Sequence, residues 1–183
     1  MSEFVSRAGL KLEYALATFG IDVAGLVCAD LGSNVGGFVD CMLKRGAAKV
    51  YSIDTGYGVL DWKLRNDPRV VVMERTNAMH VVLPEPVRFV SIDVAWTKQR
   101  HILPAAKRLL AAEGSLVTLI KPHYEATPAM LRKGVLLTEK MDEVLQSVKN
   151  DIAGAGFELI SLSPSPIKGA KGNVEYLAYL RPR

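Results

Sequence analysis

The feature that most constrains this chain is an alternation of short apolar runs with longer segments of helical periodicity. The runs at residues 26–31, 49–54, 70–75, 89–94 and 115–121 read as buried strands. Helices are predicted at residues 37–45 and 102–110, and a third around Leu145, Val148 and Ile152 ends near Gly154. Because strands that alternate with helices are typical of βαβ units, we predict an α/β fold with a parallel sheet.

The end of the chain predicts a departure from the parallel pattern. Residues 157–163 and 175–180 read as two further strands, and only a Pro- and Gly-rich loop lies between them. A parallel connection needs a crossover, for which this loop is too short, so the two strands are expected to pair antiparallel. The prediction is a mostly parallel seven-stranded sheet with an antiparallel final strand and helices on both faces.

One more helix is predicted before the first strand. Ser6 would cap its start and Gly20 would end it. Lys11 falls beside the buried face, where its amine can reach the rim of the sheet. The buried face itself would consist of Leu12, Ala15, Leu16 and Phe19.

Length and composition limit the setting of the protein. A chain of 183 residues suits one domain over residues 1–183, with the N-terminal helical segment at 1–20 and a core at 26–183. No apolar run approaches the ~20 residues that cross a bilayer, and the N-terminus lacks a secretory signal. Cys28 and Cys41 supply neither a disulfide framework nor a zinc site. We therefore expect a cytoplasmic protein without a metal or a membrane partner, and its net charge of +4 is compatible with a polyanion.

A glycine-rich turn follows the first strand and leads into a helix. Its glycines allow a backbone to approach a ligand closely, and Asp30 at its start suits a ligand that carries an ammonium group. The spacing is not the G-x-G-x-x-G of a dinucleotide site, and an ordinary strand-to-helix turn would show the same residues. The candidate ligand-binding residues of this turn are Asp30, Gly32, Ser33, Gly36, Gly37 and Phe38.

Further charged residues stand at the ends of other strands. Asp54 ends the second strand, where a carboxylate can accept both hydroxyls of a ribose, although it equally suits a helix cap or a turn. Asp93 ends the fourth strand and Lys121 the fifth, so both are expected at one crevice, as a working pair or as a plain ion pair. Lys11 and Glu175 are each ordinary as surface charges, but the topology can bring them to the same rim.

Several motifs together resemble a known family. The opening Ser6-Arg7-Ala8-Gly9-Leu10-Lys11-Leu12 resembles the S-R-x-G-x-K-L start of the FtsJ-like methyltransferase superfamily, and is closest to its haemolysin A or TlyA branch of ribosomal RNA 2′-O-methyltransferases. The other matching segments follow in the same order over nearly the whole chain, at residues 30–40, 54–58, 61–65, 74–77, 119–122, 166–169 and 172–175. Several motifs in one order are far more specific than any one of them.

The resemblance implies a Rossmann-like class I methyltransferase fold, S-adenosylmethionine as the methyl donor, and RNA as the partner, expected to be ribosomal RNA or a ribosomal subunit. The family has a catalytic Lys-Asp-Lys-Glu tetrad, in which Lys121 would accept the proton of a ribose 2′-hydroxyl. The counterparts of the tetrad are Lys11, Asp93, Lys121 and Glu175. The cofactor would be held by the residues of the glycine-rich turn named above together with Asp54, Asn77 and Asp93.

Contacts with RNA are expected from one aromatic and several basic side chains. Trp96 can stack on a target base or be a packing residue, and Asn77 can lie near the adenine or form a turn. The basic side chains can position RNA through its phosphates or be ordinary surface charges. The candidates are Arg7, Trp96, Lys98, Arg100, Lys168 and Lys171.

Two features differ from the haemolysin A or TlyA branch, and several competing functions stay open. The branch usually carries a small N-terminal RNA-binding domain, for which this chain has no room, and residues 94–100 are more polar than the corresponding loop. The Asp93-Val94-Ala95-Trp96 segment loosely resembles the motif of enzymes that methylate nitrogen atoms of bases or proteins. The competing functions also include a protein that binds S-adenosylmethionine or RNA without turnover, a membrane-lysing haemolysin, and an NAD-dependent dehydrogenase.

Overall fold

The computed structural model describes residues 3–183, so positions 1 and 2 of the predicted 1–20 segment and 1–183 domain lie outside the described residues. The helices are α1 (Ala8–Phe19), α2 (Gly37–Lys44), α3 (Trp62–Arg65), α4 (Gln99–Leu109), α5 (Pro122–Glu125) and α6 (Met141–Gly154). The strands are β1 (Val27–Leu31), β2 (Lys49–Ile53), β3 (Val70–Met73), β4 (Val87–Ile92), β5 (Leu110–Ile120), β6 (Leu131–Arg132), β7 (Val135–Leu136), β8 (Phe157–Pro164) and β9 (Tyr176–Pro182).

Seven of the strands form one sheet, and its topology confirms the predicted fold. The strand order is β3-β2-β1-β4-β5-β9-β8, while β6 and β7 form a separate hairpin. The strands from β3 to β5 pair in parallel, and β9 pairs antiparallel with both β5 and β8. The order reverses between β1 and β4, so the carboxyl ends of these two strands open a crevice of the kind that binds ligands in α/β folds.

Helices cover both faces of the sheet, and each face has its own apolar core. One core joins α1 and α2 to the sheet through residues such as Leu12, Leu16 and Met42. The other joins α4 and α6 to the opposite face through residues such as Leu103 and Val148. All five side chains are almost completely buried, and each such burial contributes about 1.5–3 kcal/mol. The predicted buried faces of α1 and α6 are therefore confirmed except at Phe19 and Leu145, which are half-buried.

The N-terminal cap differs from the sequence-based expectation. Ser6 does not cap α1 with its side chain, because Arg7 occupies the position before the helix and forms no side-chain capping bond. The carbonyl oxygen of Ser6 accepts the first backbone hydrogen bond, 3.1 Å from the nitrogen of Gly9. The Phe4 ring packs against Gly9 and fixes this approach to the helix.

Several element boundaries also differ from the predicted ones. β3 ends at Met73 instead of residue 75, and Arg75 takes a left-handed backbone conformation with φ of 51°. β4 ends at Ile92, which places Asp93 just beyond the strand. β5 begins at Leu110 because α4 runs into it without a loop. The short helices α3 and α5 and the β6–β7 hairpin were not predicted, since each is too short to show a period.

None of the helices in residues 3–183 has both the length and the apolar character needed to cross a membrane.

Candidate active site

Three adjoining cavities lie along the edge of the sheet where the parallel strands end. We call them the Asp30, Asp54 and Glu175 cavities, and their volumes are about 230, 530 and 400 Å³. The Asp30 cavity is the middle one, because it shares wall residues with each of the others. It shares Gly32, Asn34, Asp93 and Ala95 with the Asp54 cavity. It shares Ser6, Ala8 and Lys121 with the Glu175 cavity. The three together form one cleft.

Asp30 is a buried carboxylate with one uncommitted oxygen. The Ser91 hydroxyl donates a hydrogen bond of 2.7 Å to its Oδ1, whereas Oδ2 has no partner among the described residues. Burial raises the pKa of Asp30 to about 7, and the hydrogen bond from Ser91 only partly opposes this effect. An unpaired carboxylate oxygen on a cavity wall is suited to a ligand that brings an ammonium group.

Two glycines of the turn after β1 allow other segments of the chain to pack closely against it. Gly32 has φ of 88°, and a Cβ atom there would lie 2.5 Å from the backbone oxygen of Asp93. A Cβ atom on Gly37 would overlap with Ser6 Oγ and lie 2.8 Å from the nitrogen of Gly9. Both positions therefore require glycine, and the binding of a ligand by this turn stays a prediction.

Gly36 is a predicted cofactor residue that does not line the cleft. Its φ of 102° allows the chain to turn into α2, and its α-carbon faces Leu60 and Leu64. Its role in this structure is local packing. The other predicted cofactor residues line the Asp30 cavity, the Asp54 cavity or both: Asp30, Gly32, Ser33, Gly37, Phe38, Asp54, Asn77 and Asp93.

Asp54 and Asn77 each organise a turn and also line the Asp54 cavity. Asp54 accepts backbone hydrogen bonds from Asn34 at 2.8 Å and from Gly56 at 2.7 Å, one on each carboxylate oxygen. Asn77 Oδ1 accepts a bond of 2.9 Å from the nitrogen of Met79. Each of the two residues therefore stabilises a turn and also lines the cavity, and its contact with a cofactor stays a prediction.

The four residues of the predicted tetrad meet where the Asp30 and Glu175 cavities join. Lys11 Nζ lies 2.6 Å from Glu175 Oε2, and Lys121 Nζ lies 2.6 Å from Asp93 Oδ1. Lys121 also donates to the backbone oxygen of Val94 at 3.0 Å. The second ion pair lacks hydrogen-bond geometry, so Asp93 Oδ1 keeps a free acceptor position. The tetrad is thus two neighbouring ion pairs, each of one lysine and one carboxylate.

The antiparallel final strand explains how these residues come together. Ile120 at the end of β5 pairs with Tyr176 at the start of β9. Lys121 directly follows β5 and Glu175 directly precedes β9, so the two residues lie opposite each other just beyond the paired strands. A parallel final strand would have placed Glu175 at the other edge of the sheet.

The basic residues predicted to contact RNA fall into two groups. Arg7 and Lys168 are exposed and line the Glu175 cavity. Lys98 instead donates to the backbone oxygen of Glu125 at 2.8 Å, and it does not line any of the three cavities.

Lys171 and Arg100 are the other members of the second group. Lys171 donates to the backbone oxygen of Lys133 at 3.2 Å, and Arg100 bonds to His101. Neither of them lines the cleft.

Trp96 has an exposed side chain, so it is not a packing residue. It is 78% exposed and lines the Asp54 cavity, together with Asn77. It does not line the Glu175 cavity, where Arg7 and Lys168 lie.

Among the cleft residues that the sequence-based interpretation missed, three polar ones bear on the chemistry of the site. Ser6 was assigned to a helix cap but lines both the Asp30 and Glu175 cavities. Asn34 was not assigned a role, although it has a left-handed φ of 48° and holds Asp54. His123 is buried in the wall of the Glu175 cavity. Its position two residues after Lys121 was the one signal in the sequence that could have identified it.

Comparison with known proteins identifies relatives that are similar to nearly the whole chain. The Bacillus subtilis protein YqxC is 41% identical over 186 residues, which cover 97% of this chain and 65% of YqxC. The Mycobacterium tuberculosis protein named 16S/23S rRNA (cytidine-2′-O)-methyltransferase TlyA is 39% identical over 185 residues, covering 97% of this chain and 68% of that protein. The chain thus spans about two thirds of the length of these relatives, and slightly less in the case of YqxC.

A solved structure and a family profile agree with these relatives. The structure of a hemolysin-like protein from Streptococcus thermophilus superimposes with a TM-score of 0.96 at 38% identity, covering 100% of this chain and 68% of that one. The profile of the FtsJ-like methyltransferase family matches residues 4–182. The resemblance found in the motifs is therefore confirmed: this chain belongs to the FtsJ-like methyltransferase family.

Proposed function

We propose that this protein transfers a methyl group from S-adenosylmethionine to a ribose 2′-hydroxyl of RNA, and that its substrate is ribosomal RNA. The observation that carries the proposal is the pair of lysine–carboxylate contacts at the junction of the Asp30 and Glu175 cavities. One side of this junction suits the methyl donor, and the other is wide enough to admit a nucleotide. The name of the M. tuberculosis relative supports the choice of substrate.

The residues of the Asp30 and Asp54 cavities fit S-adenosylmethionine. The unpaired Oδ2 of Asp30 would accept the ammonium group of the methionine part. Asp54 would accept the ribose hydroxyls of the cofactor with the lone pairs that its two backbone contacts leave free. Asn77 would lie near the adenine, and the exposed Trp96, predicted from the sequence to stack on a target base, lines the same cavity. When bound, S-adenosylmethionine supplies an electrophilic methyl group on a sulfonium sulfur.

The tetrad would prepare the acceptor hydroxyl for an in-line displacement. Lys121 accepts the proton that the hydroxyl loses, after its own proton has passed to solvent, and Asp93 holds the amine in place. The ion pair between Lys11 and Glu175 fixes the opposite wall and orients the ribose. Holding the oxygen on the axis of the bond that breaks supplies a large part of the rate increase.

Basic side chains at the mouth of the Glu175 cavity would hold the RNA. Arg7 and Lys168 are exposed there and can contact phosphates without reading the base sequence. The net charge of +4 is small for an RNA-binding protein, so we expect much of the affinity to depend on these few contacts. A ribosomal RNA substrate also agrees with the cytoplasmic setting expected from the sequence.

The Lys121→Ala variant tests the proposal directly. It should still bind S-adenosylmethionine, because the carboxylates of Asp30 and Asp54 stay in place, and it should lose methyl transfer to RNA by about 100-fold or more. The exposed Lys149 on α6 provides the matched control, and Lys149→Ala should keep full activity. Transfer assays with radiolabelled donor and total RNA, together with calorimetry for donor binding, measure both. Near-normal transfer by Lys121→Ala would disprove the role of this lysine.

The position of the new methyl group decides among the competing functions. Digestion of the product RNA should give a 2′-O-methylated nucleoside. A methyl group on a base nitrogen would favour the enzymes that the Asp93-Val94-Ala95-Trp96 segment resembles. Binding of the donor without turnover on any RNA would favour a binding protein.

A further inference from the structure

His123 is a buried histidine in the wall of the Glu175 cavity that the proposed mechanism does not use. It is 7% exposed and occupies the second position of the short helix α5, directly after Pro122. Its Nδ1 is fully buried and has no hydrogen-bond partner, and Nε2 forms no hydrogen bond to any residue in 3–183. A buried polar group without a partner costs about 1–3 kcal/mol, so a residue kept only for packing would be apolar here.

The other titratable groups nearest the tetrad already have partners. Lys11 and Glu175 hold each other, and Lys121 holds Asp93 and a backbone oxygen. Among residues 3–183, His123 therefore joins Asp93 Oδ1 as a hydrogen-bonding group near the tetrad that has no hydrogen-bond partner. Burial lowers the pKa of His123, Lys121 lowers it further, and Glu175 opposes the shift. The imidazole is consequently neutral at neutral pH, with one nitrogen that donates and one that accepts.

The surroundings of the ring indicate which nitrogen is the donor. Nδ1 faces no hydrogen-bond acceptor, and a buried N–H group without an acceptor is rarer in proteins than an unpaired lone pair. The proton therefore belongs on Nε2. Because Nδ1 has no access to solvent, Nε2 is also the ring nitrogen that can reach a ligand in the cavity.

We propose that His123 contacts the acceptor nucleotide and that its Nε2–H group donates a hydrogen bond to a ribose or phosphate oxygen. This inference rests on the proposed function, and it adds a substrate-positioning residue to the tetrad. The contact holds the nucleotide against the wall that carries Lys121, two residues earlier in the chain. The ring is held rigidly for this task, since it is buried and packs against the tilted ring of Tyr124, with 4.2 Å between the ring centroids.

Two variants of His123 separate a contact with substrate from a role in folding. His123→Phe keeps a buried ring but removes both nitrogen atoms, and His123→Gln restores an N–H donor. We expect His123→Phe to lower kcat/KM for RNA about tenfold, the size of effect that the loss of one hydrogen bond produces. Its affinity for S-adenosylmethionine should not change, and its melting temperature should equal or exceed that of the wild type, because an unpaired buried polar atom has been removed.

The same assays define the outcomes that would overturn the inference. His123→Gln should recover transfer to within about threefold of the wild type. The matched control is His101→Phe, on the exposed face of α4, and it should transfer normally. Equal activity of His123→Phe and wild type would refute the contact. It would also be refuted if His123→Phe lowered melting temperature, donor affinity and transfer together and His123→Gln restored none of them. If the Phe ring lowers the melting temperature, His123→Leu replaces it in the same comparison with His123→Gln. A wild-type protein that methylates no RNA would instead refute the proposed function.

Discussion

Replacing Asp30 by asparagine is expected to stabilise the ligand-free protein and to weaken its binding of S-adenosylmethionine. Burial raises the pKa of Asp30 from 3.8 to about 7. The folded protein therefore holds a proton that the unfolded chain releases at lower pH. The contribution of Asp30 to the free energy of unfolding falls as the pH rises above 3.8, the pKa in the unfolded chain. It reaches its lower limit once the pH exceeds about 7, the pKa in the folded protein.

The magnitude follows from the interval between the two pKa values. At about 1.4 kcal/mol for each pH unit, burying this group costs the folded state about 4 kcal/mol at about pH 8, where the carboxylate is charged, and about 2 kcal/mol at about pH 5.5, where the folded state takes up a proton instead. Asparagine has no charge to bury and can accept the hydrogen bond from Ser91, but its amide group would lack a partner at a cost of about 1 kcal/mol. We therefore expect Asp30→Asn to gain about 3 kcal/mol of unfolding free energy at about pH 8 and about 1 kcal/mol at about pH 5.5.

Binding should change in the opposite direction. Loss of the carboxylate leaves the ammonium group of the donor without its partner, which costs about 3 kcal/mol or about a hundredfold in Kd. Urea unfolding at the two pH values and calorimetry with S-adenosylmethionine measure both effects. Asp54→Asn is the matched control, because its two carboxylate oxygens each accept a backbone hydrogen bond and an amide can replace only one of them. It should lose stability at both pH values. The reasoning would be refuted if Asp30→Asn did not raise the free energy of unfolding, or if the increase were no larger at the higher pH.

Three further predictions concern the cleft. Gly32→Ala should lower the unfolding free energy by about 2–4 kcal/mol in urea titrations, because its Cβ would meet the backbone oxygen of Asp93 and its φ is positive; an unchanged midpoint would contradict the close approach. Gly169→Ala should reduce methyl transfer about tenfold without affecting donor affinity, since its Cβ would overlap with the Glu175 carboxylate and separate it from Lys11; parallel kinetic and calorimetric assays check this. RNA affinity in filter-binding assays should fall about tenfold or more between about 50 and 200 mM salt, whereas a flat response would argue against phosphate contacts.

The sequence predicted those parts of the site that depend on the ends of strands. Asp54, Asp93 and Lys121 each directly follow an apolar strand and Asp30 is the last residue but one of its strand, and the carboxyl ends of these strands meet at one edge of the sheet. The antiparallel final strand was also predictable, because the loop before it has no room for a crossover.

Other features depend on contacts between distant residues and leave no local pattern. Ser6 is a residue type that commonly caps helices. Packing of Phe4 on Gly9 determines the path of the chain into α1 and places Ser6 in the cleft. The burial of His123 depends on elements that pack around α5, which no periodicity of a helix this short can indicate. The roles of the tetrad came from the family resemblance and not from the separate residues.

The antiparallel pairing of β9 with β5 also affects the order in which this protein gains donor binding and methyl transfer during synthesis. The residues assigned to the methyl donor all lie between Asp30 and Trp96, so they precede the second half of β5 and all of β8 and β9. The tetrad is complete only when Glu175 reaches Lys11, which is separated from it by 164 positions, and that contact needs the last strand in place. A nascent chain could therefore form most of the donor site well before it could catalyse transfer. Methyl transfer would then require the complete sheet, whereas donor binding would require only the strands that are synthesised first.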